Sequence, residues 1–225
     1  AQADDAQLAI ARLFRDNLLF EEALAAYRQL MSDFAKGDKT STAYIEAAAC
    51  LENLGRWTDA RELYELYIRK FPKYEHVALC KERAELLDQV NQYAEFIAGN
   101  PASPRVAEAR YQIATILYKS LGNLTKAAIE FRDVAERHPK HPRAADGLFT
   151  AGVCQLNAGN FPAARGHFED LVARYPDSRL ADDAQYWIGH AYEYAARALG
   201  KLDDARIVLR RRTLLGQADL VADRY

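Results

Sequence analysis

The chain has 225 residues, of which 50% are apolar, 28% charged and 11% aromatic, so it can form a core and is not disordered. Its eleven glycines and seven prolines are too few for a fold of many short strands, and this favours helices. The formal net charge of −2 argues against a nucleic-acid backbone or an anionic membrane as the main partner.

The apolar pattern, the first residues and the cysteines bear on whether the chain has a membrane span, a signal peptide, disulfides or a zinc site. No window approaches eighteen consecutive apolar residues, and the initial AQADDAQ has neither the basic nor the apolar part of a signal peptide. Because no initiator Met is present, a mature protein and a fragment of a longer chain both stay open. Cys50, Cys80 and Cys154 have no C-x-x-C spacing, so we expect small buried thiols and neither a disulfide framework nor a zinc site.

A short motif recurs along the chain, in which a central alanine is followed four residues later by a large apolar residue. The five segments are FEEALAAYRQLM (20–31), WTDARELYELYI (57–68), LTKAAIEFRDVA (124–135), FPAARGHFEDLV (161–172) and LDDARIVLRRRT (202–213). The pairs are Ala23/Tyr27, Ala60/Tyr64, Ala127/Phe131, Ala164/Phe168 and Ala205/Leu209. This spacing puts a small and a large side chain on one helix face, one turn apart.

Turn signals precede each central alanine. The residue five positions earlier is Leu18 in the first copy and a glycine in the others, Gly55, Gly122, Gly159 and Gly200. Glycine there adopts the left-handed conformation that ends a helix, and Thr58, Thr125 and Asp203 are candidate caps for the helix that follows. The pattern therefore predicts a first helix, a tight turn and a second helix in each copy.

Two further features complete the unit. Small residues lie in the first helices and allow close helix approach; they are Ala11, Ala48, Ala114, Gly152 and Gly189. Prolines follow the second helices and stop them, at Phe71-Pro72, Asn100-Pro101, His138-Pro139 and Tyr175-Pro176.

This order of small residue, glycine, central alanine, aromatic residue and proline resembles the tetratricopeptide repeat over residues 4 to 214. The resemblance implies an all-α fold: a tetratricopeptide-repeat (TPR) α-solenoid of about six helix-turn-helix repeats, with about twelve helices in a right-handed superhelix. We expect a single solenoid over 1–225 with repeats at about 4–37, 41–72, 73–101, 104–139, 142–176 and 179–214, the third of them short and irregular.

The loops before three first helices carry a closer resemblance. PASPRVAEARYQIA (101–114), PKHPRAADGLFTAG (139–152) and PDSRLADDAQYWIG (176–189) each run 13 residues from the proline to the small residue. This spacing is similar to that of bacterial cell-envelope proteins such as the outer-membrane assembly lipoprotein BamD and the Tol-Pal-associated YbgF. It implies a periplasmic or cell-envelope-associated protein, with a cytoplasmic location as the alternative.

In this family the inner face of the first helices forms a groove for a protein or peptide partner, and the resemblance places sixteen residues of this chain there. They are Leu8, Arg12, Arg15, Ile45, Ala49, Glu52, Tyr111, Thr115, Tyr118, Lys119, Phe149, Val153, Asn157, Tyr186, His190 and Tyr194. Because the aromatic residues concentrate in the C-terminal half, we expect partner binding by Tyr111, Tyr118, Lys119, Phe149, Asn157, Tyr186, His190 and Tyr194. The alternative for each ring is packing against the neighbouring repeat.

The sequence gives no indication of metal binding, of a carboxylate clamp or of catalysis. His138 and His141 read as solvated turn residues, and the first helices lack the Lys and Asn by which related repeats hold chaperone carboxylates. No nucleophile elbow, Walker A loop, G-x-G-x-x-G or H-E-x-x-H motif occurs, so we expect neither an enzyme nor a cofactor or metal site.

The leading hypothesis is a protein–protein interaction scaffold in a bacterial envelope or periplasmic assembly. The alternative is an accessory, non-catalytic subunit or domain of a larger enzyme complex. RNA binding would need a basic inner face, which this sequence does not provide.

Overall fold

The computed structural model describes residues 2–35, 37 and 39–198, and within them the chain forms ten α-helices and no strand. The helices are α1 Gln2–Asp16, α2 Phe20–Asp33, α3 Thr40–Leu54, α4 Trp57–Lys70, α5 Val77–Gly99, α6 Val106–Lys119, α7 Leu124–Arg137, α8 Ala144–Asn157, α9 Phe161–Arg174 and α10 Ala181–Ala198. The predicted all-α fold is confirmed. None of the helices described is long and apolar enough to cross a membrane.

The chain divides into two compact units. Unit 1 holds the described residues up to Ser103 together with Lys119–Lys126, and unit 2 holds Pro104–Tyr118 and the described residues from Ala127 onward. In unit 1, α1 pairs with α2, α3 packs on α2 and α4, and α5 packs on α4. In unit 2, α9 packs between α8 and α10.

The turns inside the hairpins have the expected left-handed residues. Gly55, Gly122 and Gly159 have φ values of 77°, 68° and 75°. Leu18, which takes the glycine's place in the first copy, has a φ of 62°. Leu18 therefore adopts this conformation although a leucine is sterically unsuited to it.

The predicted caps were wrong at two positions. Thr58 and Thr125 lie inside α4 and α7, and the third candidate, Asp203, lies outside the described residues. The side chain of Asn123 caps α7 instead, because its Oδ1 accepts a 3.1 Å hydrogen bond from the Lys126 N–H. Asn160 precedes α9 in the same way and accepts from the Ala163 N–H. An asparagine directly before the helix is better placed than a threonine one or two residues inside it.

The small and large residues of the repeat are buried between the paired helices and form what is called the seam here. In the described part of the chain the four central alanines, Ala23, Ala60, Ala127 and Ala164, are completely buried. The large residues four positions later, Tyr27, Tyr64, Phe131 and Phe168, are at most 2% exposed. The small residues Ala11, Ala48 and Ala114 are also completely buried, so the helices approach closely along this seam. Cys50, Cys80 and Cys154 are buried and unpaired.

The third copy departs from the expected hairpin. Residues 73–101 contain one uninterrupted helix, α5, because no glycine or proline lies between Val77 and Ala98 to end it. Its buried residues include Cys80, Leu87 and Val90. The expectation of a helix-turn-helix in this segment was therefore wrong. The second helix expected in the sixth copy, at 202–213, lies outside the described residues.

Candidate partner-binding surface

Three first helices of unit 2 carry predicted inner-face residues at intervals of four along each helix. Tyr111 and Thr115 lie on α6, Phe149, Val153 and Asn157 on α8, and Tyr186, His190 and Tyr194 on α10. A proline turn precedes each helix, and an acidic residue in the first turn interacts favourably with the helix dipole.

The α6 rings are partly used for packing. Tyr111 and Tyr118 are half-buried, with ring centroids 5.2 Å and 6.5 Å from that of Phe131. The guanidinium carbon of Arg143 lies 4.8 Å from the centroid of the Tyr111 ring. The pKa of Tyr111 is raised chiefly by burial and next by the nearby negative charge of Asp146. Only part of each ring is left for a partner.

The predicted residues at the helix ends are exposed. Lys119 is the last residue of α6 and belongs to unit 1, while Asn157 is the last residue of α8. Phe149, two turns before Asn157, is half-buried, and its ring centroid lies 5.5 Å from that of Phe168. A role for Lys119 and Asn157 in partner binding stays a prediction.

The α10 residues come together as a stripe, defined here as Tyr186, His190 and Tyr194. Tyr186 is 60% exposed, and its ring centroid lies 4.3 Å from that of His190. The His190 and Tyr194 centroids are 6.0 Å apart, and Tyr194 also contacts Phe161 of α9 at 5.6 Å. The stripe is therefore a continuous aromatic surface with one strongly exposed ring.

Trp187 is an aromatic neighbour that sequence reasoning missed. Its ring centroid lies 5.6 Å from that of Tyr186 and 5.7 Å from that of His190. It also packs against the buried core around Phe168. Because it follows Tyr186 directly, the four-residue spacing did not select it. Its adjacency to Tyr186 was the signal available in the sequence.

Charged groups flank the stripe on its own helix. The Nδ1 of His190 lies 3.5 Å from Oε2 of Glu193, and Arg197 forms an ion pair with the other oxygen of that carboxylate. The Glu193 carboxylate beside the stripe is therefore already paired within α10.

Comparison with known proteins agrees with the repeat pattern. A profile of the tetratricopeptide repeat matches residues 8–75, and a second profile of the same description matches residues 108–141 and 146–178. The chain belongs to the tetratricopeptide repeat family. Such repeats mediate protein–protein interactions, so the chain is an interaction scaffold. No curated protein sequence matches it.

Several solved structures align with this tetratricopeptide chain at low identity. MamA has 16% identity over 97% of this chain and 94% of that chain, with a TM-score of 0.39. BtubC from P. vanneervenii has 18% identity over 92% and 77%, with a TM-score of 0.38. PilW, described as a widely conserved type IV pilus biogenesis factor, has 17% identity over 98% and 94%, with a TM-score of 0.37.

In unit 1, two predicted inner-face residues of the tetratricopeptide chain, Leu8 and Glu52, are largely buried. Leu8 is 5% exposed and Glu52 is 3% exposed. Arg12 forms an ion pair with Glu46, and its side chain is 43% exposed. Glu52 forms a buried bridge with Arg83, a residue 31 positions further along the chain. The sequence position alone did not reveal this distant partner, so the expectation of a solvated groove charge at Glu52 was wrong.

Unit 1 also has two clefts, and the predicted inner-face residues Leu8 and Arg12 are among the residues that line the second of them. One of about 570 Å³ lies over α3 between α2 and α4, with Met31, Tyr44, Leu51, Leu63 and Leu66 among its lining residues. The other, of about 440 Å³, lies between α1 and α3.

His138 and His141 lie in the turn between α7 and α8. Among the residues described, no group of three or more His, Cys, Asp or Glu side chains could hold a metal ion. The backbone N–H of His141 donates to the His138 carbonyl at 2.9 Å, and Nδ1 of His141 accepts from the Arg143 N–H at 3.2 Å. Burial, together with the nearby charge of Arg110, lowers the pKa of His138. The His141 imidazole and the His138 backbone carbonyl therefore accept hydrogen bonds within the turn.

Proposed function

We propose that the chain is a non-catalytic scaffold of a bacterial cell-envelope or periplasmic assembly, and that it binds a segment of a partner protein through the first helices of unit 2. The observation that carries the binding proposal is the α10 stripe, in which Tyr186 is 60% exposed. The envelope location rests on the 13-residue spacing from each loop proline to the next small residue.

The stripe has the properties of an interface anchor. Aromatic side chains supply a large contact area at low entropic cost, and they are enriched among residues that dominate binding energy. Contacts with Trp187 and His190 already restrict the Tyr186 ring, so little further ordering is needed on binding. The exposed edges of Tyr111 and Phe149 extend this surface along unit 2.

The binding proposal is tested with the full chain and the native partner, identified by crosslinking mass spectrometry in extracts of the source cells. Tyr186→Ala is expected to lower affinity by about 2 kcal/mol, or roughly thirtyfold, in a calorimetric titration. Tyr74→Ala is the matched control, because Tyr74 is an exposed tyrosine of unit 1. Circular dichroism verifies that both variants keep their helices.

Undiminished binding by Tyr186→Ala would exclude the α10 stripe as the partner surface. The chain would then fit better as an accessory, non-catalytic subunit of a larger enzyme complex, docked through a different surface. The envelope proposal has its own test, the fractionation of source cells with an antibody against the chain. Recovery in the cytoplasm alone would overturn it.

A further inference from the structure

An acidic and an aromatic residue recur at the same places in three first helices. The third residue is Glu108 in α6, Asp146 in α8 and Asp183 in α10. The sixth residue is correspondingly Tyr111, Phe149 or Tyr186. Residues three apart in a helix lie on one side, so each helix presents a carboxylate next to an aromatic ring.

In the first two of these helices an arginine from the following proline turn pairs with the carboxylate. Nε of Arg143 lies 3.7 Å from Oε2 of Glu108, and a terminal nitrogen of Arg179 lies 3.7 Å from Oδ1 of Asp146. Arg143 also covers the Tyr111 ring, with its guanidinium carbon 4.8 Å from the ring centroid. The Glu108–Tyr111 pair is thus an arginine site that the protein fills with its own side chain.

On α10 the same pair is open. Asp183 is exposed and has no ion-pair partner among the residues that the structure describes. Tyr186 is 60% exposed, whereas the corresponding Tyr111 is half-buried beneath Arg143. No proline follows Pro176 in residues 177–225, so the proline motif that precedes the arginine in the earlier copies does not recur in that part of the sequence.

We propose that Asp183 and Tyr186 of α10 bind an arginine side chain of the partner protein, as Glu108 and Tyr111 hold Arg143. A guanidinium group fits this site because it is planar, stacks on an aromatic face and keeps its N–H donors for the carboxylate. A lysine ammonium lacks the planar face, so arginine is the preferred side chain. The inference rests on the proposed function, because it requires that the partner contacts α10.

The probe is a library of random twelve-residue peptides displayed on phage and selected against the immobilised full chain. Recovered peptides are synthesised and titrated calorimetrically against the chain. Each is compared with a copy in which the arginine is replaced by citrulline, which keeps the shape and removes the charge. We expect arginine to be enriched over the unselected library and citrulline to weaken binding about tenfold.

Three variants of the chain locate the contact. Asp183→Asn removes the carboxylate charge and is expected to weaken arginine peptides about tenfold. Asp182→Asn is the matched control, because Asp182 is the neighbouring exposed carboxylate in the same helical turn and lies outside the repeated position. Tyr186→Ala removes the ring and tests the aromatic surface itself.

The outcomes separate this inference from the proposed function. If arginine is not enriched, or if Asp183→Asn and Asp182→Asn bind the selected peptides equally well, the arginine site is overturned. If Tyr186→Ala nevertheless weakens binding, the α10 stripe remains the partner surface. If neither Asp183→Asn nor Tyr186→Ala has an effect, both the arginine site and the α10 surface are excluded.

Discussion

The Tyr64 hydroxyl on α4 donates a 2.8 Å hydrogen bond to Oε1 of Glu52 on α3, and both side chains are at most 3% exposed. The second carboxylate oxygen accepts a hydrogen bond of the same length from Arg83 on α5. The ring of Tyr64, the large residue of the second repeat, therefore packs in the apolar seam. Its hydroxyl and the Glu52 carboxylate connect α4, α3 and α5.

The first repeat uses the same chemistry. The Tyr27 hydroxyl donates a 2.7 Å hydrogen bond to Glu46 of α3, and Arg12 donates to the same carboxylate. In unit 2 the corresponding large residues are Phe131 and Phe168, which have no hydroxyl to satisfy. A buried hydroxyl without a partner is costly, so tyrosine at this position requires an acceptor that phenylalanine does not.

Tyr64→Phe is expected to destabilise the protein by about 2 kcal/mol, because it removes a buried hydrogen bond to a charged acceptor while leaving the ring in place. Urea denaturation followed by circular dichroism measures the free energy of unfolding. Tyr74→Phe is the control, because Tyr74 is 52% exposed. Equal stability of the parent and Tyr64→Phe would show that the hydroxyl contributes nothing to the junction.

The two carboxylates of α3 are expected to have opposite effects on the pH dependence of stability. Burial favours a higher pKa for Glu46, but the hydrogen bonds from Arg12 and Tyr27 outweigh it and hold the pKa below its ordinary value. The stabilisation from ionised Glu46 is complete above the unfolded pKa of about 4.3 and is lost as the pH falls through the lower folded pKa. The stability advantage of the parent over Glu46→Gln should shrink on acidification.

The stability difference between the parent and Glu52→Gln is expected to change with pH in the opposite direction. Burial raises the pKa of Glu52 even though Arg83 and Tyr64 favour its charged form. The folded state then binds this proton more tightly than the unfolded state, so the free energy of unfolding rises as the pH falls through the folded pKa. The parent's stability relative to Glu52→Gln should grow on acidification. Parallel pH profiles for the two variants would contradict these assignments.

Local features of the fold were predictable from sequence because they depend on short spacings. The positions of Gly55, Gly122 and Gly159 located the turns, whereas the left-handed conformation of Leu18 at the equivalent place was not predicted. The distant pairing of Glu52 with Arg83 was not predictable, because a glutamate on an inner position has the same sequence pattern whether water or an arginine faces it. The single helix α5 was missed because its Pro72 and Asn100-Pro101 boundaries match those of a hairpin.

The candidate site was predictable in its helical positions and not in its exposure. The four-residue spacing brought Tyr186, His190 and Tyr194 together on α10. It did not reveal that Arg143 covers Tyr111, because that contact depends on the turn before the next helix.

Leu18→Gly is expected to stabilise the protein by about 0.5–1 kcal/mol, because glycine adopts the left-handed conformation without the steric cost that leucine has there. Leu18 has a φ of 62° and is 73% exposed, so the change removes no core contact. Gly159→Ala is the reverse control. Gly159 has a φ of 75°, and an added Cβ would meet no atom within 4 Å, so only backbone strain should lower the stability of this variant. Thermal unfolding of both variants measures the effect.

The three cysteines are expected to resist alkylation in the folded protein at about pH 8. Burial raises the pKa of the Cys50 and Cys80 thiols to about 11 and that of Cys154 to about 12, so little reactive thiolate forms. Mass spectrometry after iodoacetamide treatment should show no modification in buffer and three modified cysteines in urea. Rapid labelling of the native chain would show that its seams open readily.

Gly152→Ala is expected to destabilise the protein by about 1–3 kcal/mol through overpacking. A Cβ at this position would lie 2.6 Å from both Cε1 and Cζ of Phe168, and that ring is completely buried and has no room to move. The contact accounts for the glycine at this position of α8, where α1, α3 and α6 have Ala11, Ala48 and Ala114.

Gly166→Ala is the matched control on the neighbouring helix. Gly166 lies inside α9, and an added Cβ meets no atom within 4 Å. Alanine is therefore expected to stabilise the helix by up to about 1 kcal/mol, because it has a higher helix propensity than glycine. Urea denaturation should thus give changes of opposite sign for the same substitution on α8 and α9. A stabilising effect of Gly152→Ala would mean that Phe168 does not pack against α8 at this point, and the close seam between the two helices would have to be abandoned.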